Sequence, residues 1–332
     1  MIFGPLPIDQ AEGAILAHSV AGLGKGRVLS AADLAQLRAA GLGQVTVARL
    51  GPGDVPENDA AQQLAQALVP DPLGQGLRLS AAGAGRVNLY ATGPGILMLD
   101  QPRLAALNAV DPMITIATLP AFARLAPGAM VATIKIISYA VAQTDLQRAA
   151  GPAAGSLRLL PPVLDHAVLI ETTTTGTPPP DKGRRATRMR LERLGISLAD
   201  RVVVPHEARA LSQALAQAAQ AARLVLVLTA SATSDIHDVA PTALLCAGGT
   251  LTRFGMPVDP GNLLFLGQLG QATVVGLPGC ARSPALNGAD WVLERVACGQ
   301  VPSSADIAAM GVGGLLKEIP TRPRPRRSPG GQ

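Results

Sequence analysis

A cluster of polar side chains occupies residues 229–238, which begin at the end of the apolar segment LVLVLTA. Its members are Thr229, Ser231, Thr233, Ser234, Asp235, His237 and Asp238. Hydroxyl groups and the N–H groups of a helix start suit a phosphate or a polar heterocycle. A carboxylate can accept two parallel hydrogen bonds from an amino-pyrimidinone edge. Two roles are open for Asp238, which can contact such a ligand or cap the helix that begins near Val239.

A second cluster is the loop GLPGCARSP at 276–284. Its glycines let the backbone approach a ligand closely. Arg282 can pair with a phosphate through two N–H groups, or with a local carboxylate. Cys280 is either a nucleophile or a small packed thiol. The loop therefore predicts an anion site, with local structural roles as the alternative.

The elements that would position these loops begin at residue 163, where apolar strands alternate with amphipathic helices. This alternation predicts an α/β domain over residues 160–300, with a mainly parallel sheet in a three-layer α/β/α arrangement. Ligands bind such sheets at the carboxyl ends of the strands, so we expect the loops after these ends to line one site. The loops follow residues 171, 204, 229 and 276, and the segments TTTTG (172–176), HE (206–207) and FGMPVDPGN (254–262) complete the rim.

The first half of the chain predicts two smaller units. Residues 1–70 form a small α+β unit, in which Ser30 is a helix N-cap followed at the third helical position by an aspartate. Residues 75–150 carry the strand-like segments GRVNLYA, GILMLD, MITIATL and MVATIKIISYAV, and predict a β-rich module with one short helix near 104–107. We interpret the segment GPAAGSLRLLPP at 151–162 as a linker.

The charge of the chain argues against a nucleic-acid partner. The formal net charge is +5, but four arginines lie in the terminal segment TRPRPRRSPGGQ, and the rest of the chain is nearly neutral. Aromatic residues make up only 2% of the chain, which leaves little for base stacking. We expect residues 301–332 to form a C-terminal extension with a disordered basic tail.

Cysteine spacing and apolar runs indicate a soluble cytoplasmic protein. The N-terminus lacks the regions of a signal peptide, and the most apolar run, Leu224–Leu228, is far shorter than the roughly 20 residues that span a bilayer. The cysteines show no metal-binding or disulfide spacing; they are Cys246, Cys280 and Cys298. One set of arginines surrounds a single helix and favours a solvated face over a binding patch, with Arg184 or Arg185 as the best candidates for an exception; its members are Arg184, Arg185, Arg188, Arg190 and Arg193.

Residues 163–298 resemble the molybdopterin-binding domain shared by molybdopterin adenylyltransferases and molybdopterin molybdotransferases. The landmarks, in order, are HAVLIETTTTG, VVVPHE, LVLVLTASATSDIHDVAPTAL, FGMPVDPGN and VVGLPGCARSP. The family has a Gly-Gly-rich loop ending in Arg-Asp or a similar acidic pair, a Pro-Asp-Asp junction, a Pro-Gly-Lys turn and GLPGNP. The chain differs from this pattern at 230–233, His237, His206-Glu207, Asn262 and Cys280-Ala281. These differences spare a pterin pocket but weaken the case for nucleotide and metal-ion chemistry.

The segments AEGAILAHSV, GRVNLYA and MVATIKIISYAV are similar to a subgroup of molybdenum-cofactor proteins, some of which carry a C-terminal cytidylyltransferase. The resemblance implies binding of molybdopterin or molybdenum cofactor by a molybdenum- or nucleotidyl-transferase-like enzyme. The alternative is a non-catalytic carrier that delivers the cofactor to a separate nucleotidyltransferase or molybdoenzyme. A nucleotide-binding regulator of an unrelated class is a third interpretation. We expect a homo-oligomer without a nucleic-acid or membrane partner.

The resemblance also implies a set of site residues. Asp238 takes the acidic position of the family loop, and the resemblance implies that it is catalytic and can bind a Mg²⁺ ion. The residues assigned to the cofactor are Thr175, Gly176, Glu207, Ser231, Thr233, Ser234, Asp235, His237, Pro260, Gly261, Asn262, Gly276, Pro278, Gly279, Arg282 and Ser283.

Overall fold

The computed structural model of the protein describes residues 1–316, and the expected basic tail lies outside them. The chain divides into two compact units. Unit 1 comprises residues 1–93 and 97–160, and unit 2 comprises residues 94–96 and 161–316 of the described chain. Among the described residues, no helix is long and apolar enough to cross a membrane.

Residues 1–160 form short strands that assemble into small sheets. The strands are β1 (Ile2–Pro7), β2 (Ile15–Leu16), β3 (Gln44–Arg49), β4 (Asp54–Pro56), β5 (Leu77–Leu79), β6 (Arg86–Ala91), β7 (Gly95–Leu99), β8 (Ile114–Thr118), β9 (Arg124–Leu125), β10 (Met130–Ile136), β11 (Ala140–Ala142) and β12 (Leu157–Leu160). The helices are α1 (Ala31–Ala39), α2 (Glu57–Leu68), α3 (Gln101–Asn108) and α4 (Gln143–Ala153). The sheet orders are β1-β3-β2, β5-β6-β10-β8, β11-β4 and β12-β7-β9.

Local sequence explains the start of α1. The Ser30 hydroxyl accepts from the Asp33 N–H at 3.3 Å, and the Asp33 carboxylate accepts from the Ser30 N–H at 2.9 Å. The Ser30 N–H bond and the Arg27 guanidinium lower the pKa of Asp33 to about 2. The predicted N-cap of this helix is therefore confirmed.

The linker predicted at 151–162 is wrong. Helix α4 continues to Ala153, and β12 follows at Leu157–Leu160. Ala149, Ala153 and Leu157 are completely buried in the core of unit 1. Burial of this apolar surface favours regular structure despite the Gly-Pro pair at 151–152.

Unit 2 contains one large mixed sheet. Its strands are β13 (His166–Thr173), β14 (Ser197–Leu198), β15 (Val202–Pro205), β16 (Leu224–Leu228), β17 (Thr250–Phe254), β18 (Phe265–Leu269) and β19 (Ala272–Gly276). Its helices are α5 (Lys182–Glu192), α6 (Ala208–Ala221), α7 (Val239–Cys246), α8 (Gly288–Ala297) and α9 (Ser304–Ala309). The strand order is β14-β13-β16-β19-β18-β17, with β15 also paired to β13.

The α/β class is confirmed, but the sheet is only partly parallel. Strands β14, β15 and β16 run parallel to β13, and β19 runs parallel to β16. Strand β18 is antiparallel to both β19 and β17. The two-residue turn at 270–271 makes a hairpin of β18 and β19, which reverses the chain at this end of the sheet.

Alternating residues of β13 enter two different cores. Ala167 and Leu169 pack with apolar residues of α5 and α8. Val168 and Ile170 pack with apolar residues of α6 and α7. The sheet is thus apolar on both faces, and its polar groups are concentrated at the strand ends.

Candidate functional site

A cavity of about 410 Å³ lies at the carboxyl ends of β13 and β16. Because the two strands are parallel, the chain leaves both at the same edge of the sheet. The wall consists of residues 171–175 and 177–180, Lys182 and Gly183 at the start of α5, Leu228 and Ala230, and Arg282.

Thr172 connects three of the loops at this edge. Its hydroxyl accepts a hydrogen bond from the Ala230 N–H at 2.7 Å. The same oxygen lies 2.9 Å from Nδ1 of His206, which directly follows β15. Thr172 is completely buried, so these bonds hold the ends of β13, β15 and β16 together without competition from water.

Threonines at the end of β13 and in the loop after it line the cavity. Thr173 donates from its hydroxyl to the Thr177 carbonyl at 2.7 Å. The hydroxyls of Thr175 and Thr177 lie 2.8 Å apart, and those of Thr173 and Thr175 lie 3.3 Å apart. The Thr173 hydroxyl also accepts from the Thr175 N–H at 3.3 Å, so it is used within the loop, whereas the hydroxyls of Thr175 and Thr177 retain bonding capacity for a polar ligand.

The cavity wall carries an excess of positive charge. The Lys182 side chain forms no hydrogen bond or ion pair with residues 1–316, and Arg282 donates one N–H group to the Thr229 carbonyl. The buried carboxylate Glu171 is matched by Arg201, whose Nε and Nη2 lie 2.8 and 3.2 Å from its two oxygens. The charges of Lys182 and Arg282 are therefore available to an anionic ligand.

Gly183 allows the start of α5 to approach the sheet. A Cβ atom at this position would lie 2.6 Å from Cδ2 of Leu228 and 3.3 Å from Cγ of Arg282. Any larger residue would have to move one of these two neighbours. The absence of a side chain at Gly183 thus sets the distance between the helix start and the Arg282 side chain.

A buried arginine holds the loop that carries Arg282. Nε of Arg190 lies 2.6 Å from the Asp290 carboxylate. Its Nη1 donates to the Ala281 carbonyl at 2.8 Å, and its Nη2 donates to the carbonyls of Ser283 and Ala285 at 2.8 and 3.0 Å. These bonds fix the backbone on both sides of residue 282. Arg190 is thus a positioning group for the cavity wall.

The predicted solvated face on α5 is wrong for two of its arginines. Arg184 and Arg190 are both buried, and Nη2 of Arg184 donates to the Ala199 carbonyl at 2.6 Å. Arg190 donates from each of its nitrogens, which offsets the cost of burying its guanidinium, whereas the buried Nη1 of Arg184 has no hydrogen-bond partner within residues 1–316. Arg185 and Arg188 are exposed, as the prediction requires.

The structure shows Asp238 as a helix cap. One oxygen accepts from the Val239 N–H at 2.7 Å, and the other accepts from the Ser234 N–H at 3.0 Å. Of the neighbouring predicted residues, Thr233 is buried, and those exposed to solvent are Ser231, Ser234, Asp235 and His237. A catalytic or Mg²⁺-binding role for Asp238 stays a prediction. Residues 1–316 contain no group of three His, Cys, Asp or Glu residues that could hold a metal ion.

The predicted loops at 260–262 and 276–283 have packing roles. The place of a Cβ atom on Gly276 is filled by the Phe265 ring, 1.9 Å away. The Pro260 carbonyl accepts from the Gly288 N–H at 2.8 Å, at the start of α8. Asn262 donates to the Met256 carbonyl at 3.4 Å. These glycine-rich turns thus allow close contact within the protein itself.

The cavity brings together only part of the predicted site. Thr175 and Arg282 are in its wall. The predicted residues outside its wall are Gly176, Glu207, Ser231, Thr233, Ser234, Asp235, His237, Asp238, Pro260, Gly261, Asn262, Gly276, Pro278, Gly279 and Ser283. Sequence reasoning missed Lys182 and Gly183. The available signal was the run Pro178–Pro180. Prolines disfavour helix in the residues before them, so this run predicts that α5 begins just after it, at the same sheet edge.

The cysteines are free and differ in exposure. Cys280 is exposed, and its sulfur accepts from Nδ2 of Asn287 at 3.0 Å. Cys298 is buried, and burial raises the pKa of its thiol to about 12. Cys280 is therefore not the packed thiol of the sequence analysis, and Cys298 is a neutral core residue.

Comparison with known proteins gives matches of limited extent. A family model described as a domain of unknown function (DUF8806) matches residues 5–49. No curated protein matches the chain. Among solved structures, the chain is similar to the molybdopterin biosynthesis moea protein from Pyrococcus horikosii, with 13% identity over 91% of this chain and 76% of that one, and a TM-score of 0.32.

Two shorter solved structures match part of the chain. Molybdenum cofactor biosynthesis protein B is 14% identical over 42% of this chain and 96% of its own, with a TM-score of 0.32. MogA is 19% identical over 41% of this chain and 99% of its own, with a TM-score of 0.30. Similarity at this level leaves the function to be inferred from the residues of the site.

Proposed function

We propose that unit 2 binds molybdopterin, free or nucleotide-linked, in the cavity at the carboxyl ends of β13 and β16. We further propose that unit 2 is a three-layer α/β/α molybdopterin-binding domain of the subgroup named above. The observation that carries the proposal is one cavity with threonine hydroxyls along one wall and the cations Lys182 and Arg282 along another. The ordered landmarks from HAVLIETTTTG to VVGLPGCARSP support the same assignment.

The wall chemistry fits the two ends of this ligand. The pterin ring presents donors and acceptors along one edge, which the hydroxyls of Thr175 and Thr177 can match. The phosphate at the other end is an anion, which Lys182 and Arg282 can bind through charge-assisted hydrogen bonds. A volume of about 410 Å³ is in the range of small-molecule pockets.

Binding is tested by titrating anaerobic molybdopterin into the folded protein. Lys182→Gln removes a cation of the wall that has no partner within residues 1–316. We expect it to weaken binding by about 1–2 kcal/mol, because one charge-assisted hydrogen bond is lost. Arg188→Gln, an exposed change on the same helix outside the wall, is the matched control and should bind as the unaltered protein does. Equal affinities for Lys182→Gln and Arg188→Gln would refute the location of the site.

A second candidate function is a non-catalytic carrier that passes the cofactor to a separate nucleotidyltransferase or molybdoenzyme. The observation that favours it concerns Asp238, the residue a transferase would use. Both of its oxygens already accept backbone N–H groups, from Ser234 and Val239. Turnover of adenylylated molybdopterin with molybdate would establish the transferase. Binding without turnover would leave the carrier.

A further inference from the structure

Unit 1 contains a cavity of about 650 Å³ that the proposed function does not use. Its wall is built from β1, the start of β4, the loop after β2, the segment before β8, and the chain that runs from the end of β10 through β11 into α4. Two contacts join these elements. The Met1 amino group lies 2.6 Å from the Asp54 carboxylate, and the Tyr139 hydroxyl donates to the Ala17 carbonyl at 3.0 Å. The cavity is thus formed by the fold itself, with a volume typical of small-molecule sites.

Large apolar side chains form part of the wall and are open to solvent. They are Met1, Phe3, Met113 and Ile137. Phe3 and Ile137 are 56% and 55% exposed, and the Phe3 ring contacts no other aromatic ring or cation within residues 1–316. Single exposed apolar residues are common, whereas a group of them around one cavity marks a binding surface. A ligand with an apolar body would remove this surface from water.

The charge of the wall favours a cation. Its titratable groups are the carboxylates of Asp54, Asp111 and Asp145, the Met1 amino group, and His18, which is counted as neutral. Asp54 is matched by the Met1 amino group, and Asp145 lies 3.0 Å from Arg148, an exposed residue outside the wall. Asp111 has no cationic partner within residues 1–316. Its negative charge is therefore left for a ligand to match.

Asp111 offers one oxygen to such a ligand. Its Oδ1 accepts from the Met113 N–H at 2.7 Å, which fixes the carboxylate at the start of the segment that leads into β8. Asp111 is half-buried, and its other oxygen is neither buried nor hydrogen-bonded to residues 1–316. The Met113 carbonyl accepts from the Ile137 N–H at 2.9 Å, so hydrogen bonds link the carboxylate to two of the apolar residues. A donor group bound to Asp111 would thus have its attached body near Met113 and Ile137.

We propose that this cavity is a second ligand site, for an organic cation that carries a primary ammonium group on an apolar body. The ammonium group donates to the free oxygen of Asp111, and the body packs against Phe3, Met113 and Ile137. A neutral molecule of the same shape would leave Asp111 without a counter-charge. The site is independent of the molybdopterin cavity, since its whole wall belongs to unit 1.

The test follows the methionine methyl resonances of the full chain while phenethylamine is added at neutral pH, where its amine is charged. Met113 lines the cavity, and Met130, which is exposed outside the wall, is the internal control. The variants Met113→Leu and Met130→Leu serve only to assign the two resonances. We expect a saturable shift of Met113 without a shift of Met130.

Two further compounds separate the charge from the apolar body. Phenethyl alcohol keeps the ring without the charge, and methylammonium keeps the charge without the ring. Each should bind at least roughly ten-fold more weakly than phenethylamine, because each lacks one of the two contacts. No shift of Met113, an equal shift of Met130, or equal binding of either compound would overturn the proposal.

Two variants locate the contacts. Asp111→Asn keeps an acceptor for the Met113 N–H but removes the charge, so it should weaken phenethylamine binding roughly ten-fold and phenethyl alcohol binding much less. Ile137→Ser, at an exposed position, should weaken the binding of both compounds, since both lose apolar contact. Asp59→Asn, an exposed aspartate of unit 1 outside the wall, is the matched control and should have no effect.

Unchanged phenethylamine affinity in either Asp111→Asn or Ile137→Ser would refute the site. An equal loss of phenethylamine and phenethyl alcohol binding in Asp111→Asn would also refute it, because the lost charge matters only to the amine.

Discussion

Replacing Arg190 by Met tests whether one buried guanidinium holds the loop around Arg282. The side chains of Arg190 and Asp290 are only 5% and 10% exposed. After the substitution the Asp290 carboxylate keeps its hydrogen bond from the Asn287 N–H at 2.8 Å, but it has lost the positive charge that compensated it. Removing one partner of such a buried pair costs about 3–5 kcal/mol. We expect Arg190→Met to destabilise unit 2 by that amount.

The fluorescence of Trp291 reports this change without interference from unit 1. It is the only tryptophan of the chain, and it follows Asp290 in α8. Urea unfolding followed by this signal gives the free energy of unfolding of unit 2. The control is Arg188→Met, at an exposed position of α5, the helix that also contains Arg190. It should change that free energy by less than about 0.5 kcal/mol.

The double variant separates the ion pair from the loss of packing. Adding Asp290→Asn to Arg190→Met removes the uncompensated charge, so the double variant should be more stable than the sum of the single changes predicts. We expect a coupling energy of about 1–3 kcal/mol. A loss below about 1 kcal/mol in Arg190→Met, or strict additivity in the double variant, would refute the role given to Arg190.

Three further predictions concern single residues. Arg282→Ala should weaken molybdopterin binding by about 1–3 kcal/mol in titration calorimetry, and unchanged affinity would exclude Arg282 as the anion contact. Asp238→Asn keeps one capping oxygen but removes the charge, and Asp238 lies outside the cavity wall, so we expect a near-normal melting temperature and unchanged molybdopterin binding; a loss of transfer in this folded variant would support the predicted catalytic role, and normal transfer would assign Asp238 to capping alone. The Ala221 carbonyl and the Asp165 carboxylate raise the pKa of His166 above its usual value, so the stability that His166 adds is present below about pH 6.5 and is lost as the pH rises through the higher folded-state pKa. The melting temperature of the unaltered protein relative to His166→Gln should therefore be higher at about pH 5.5 than at about pH 8.5, and a constant difference would contradict this.

Local patterns predicted the elements whose residues act alone or with near neighbours. The segment LVLVL at 224–228 is a fully buried strand, because continuous apolar runs are typical of strands covered on both faces. Ser30 caps α1 by accepting a hydrogen bond from the N–H of Asp33, only three positions away. The antiparallel edge was missed because β17 has only five residues and alternates polar and apolar side chains over just the first three, which is too short a pattern to indicate a strand.

A cavity lies at the sheet edge where the sequence predicted that the loops meet, but most of its wall was not predicted. The carboxyl ends of parallel strands had to meet at one edge, so the loops after β13 and β16 were expected there. The partner of Arg190 is 100 residues away in sequence, and no local pattern shows such a contact. Gly276 was taken for a ligand-contacting glycine, whereas its missing side chain makes room for the Phe265 ring. The chemistry of a loop residue therefore depends on packing that the sequence does not display.

The central claim is that the cavity between Thr172 and Arg282 holds a pterin. The most direct measurement is to purify the protein from a host that makes molybdopterin, oxidise it, and quantify the pterin by its fluorescence. We predict that the unaltered protein carries pterin, and that Lys182→Gln combined with Arg282→Ala loses most of it while the Arg188→Gln control retains it. Absence of pterin from the folded, unaltered protein, or equal pterin in all three, would contradict the claim.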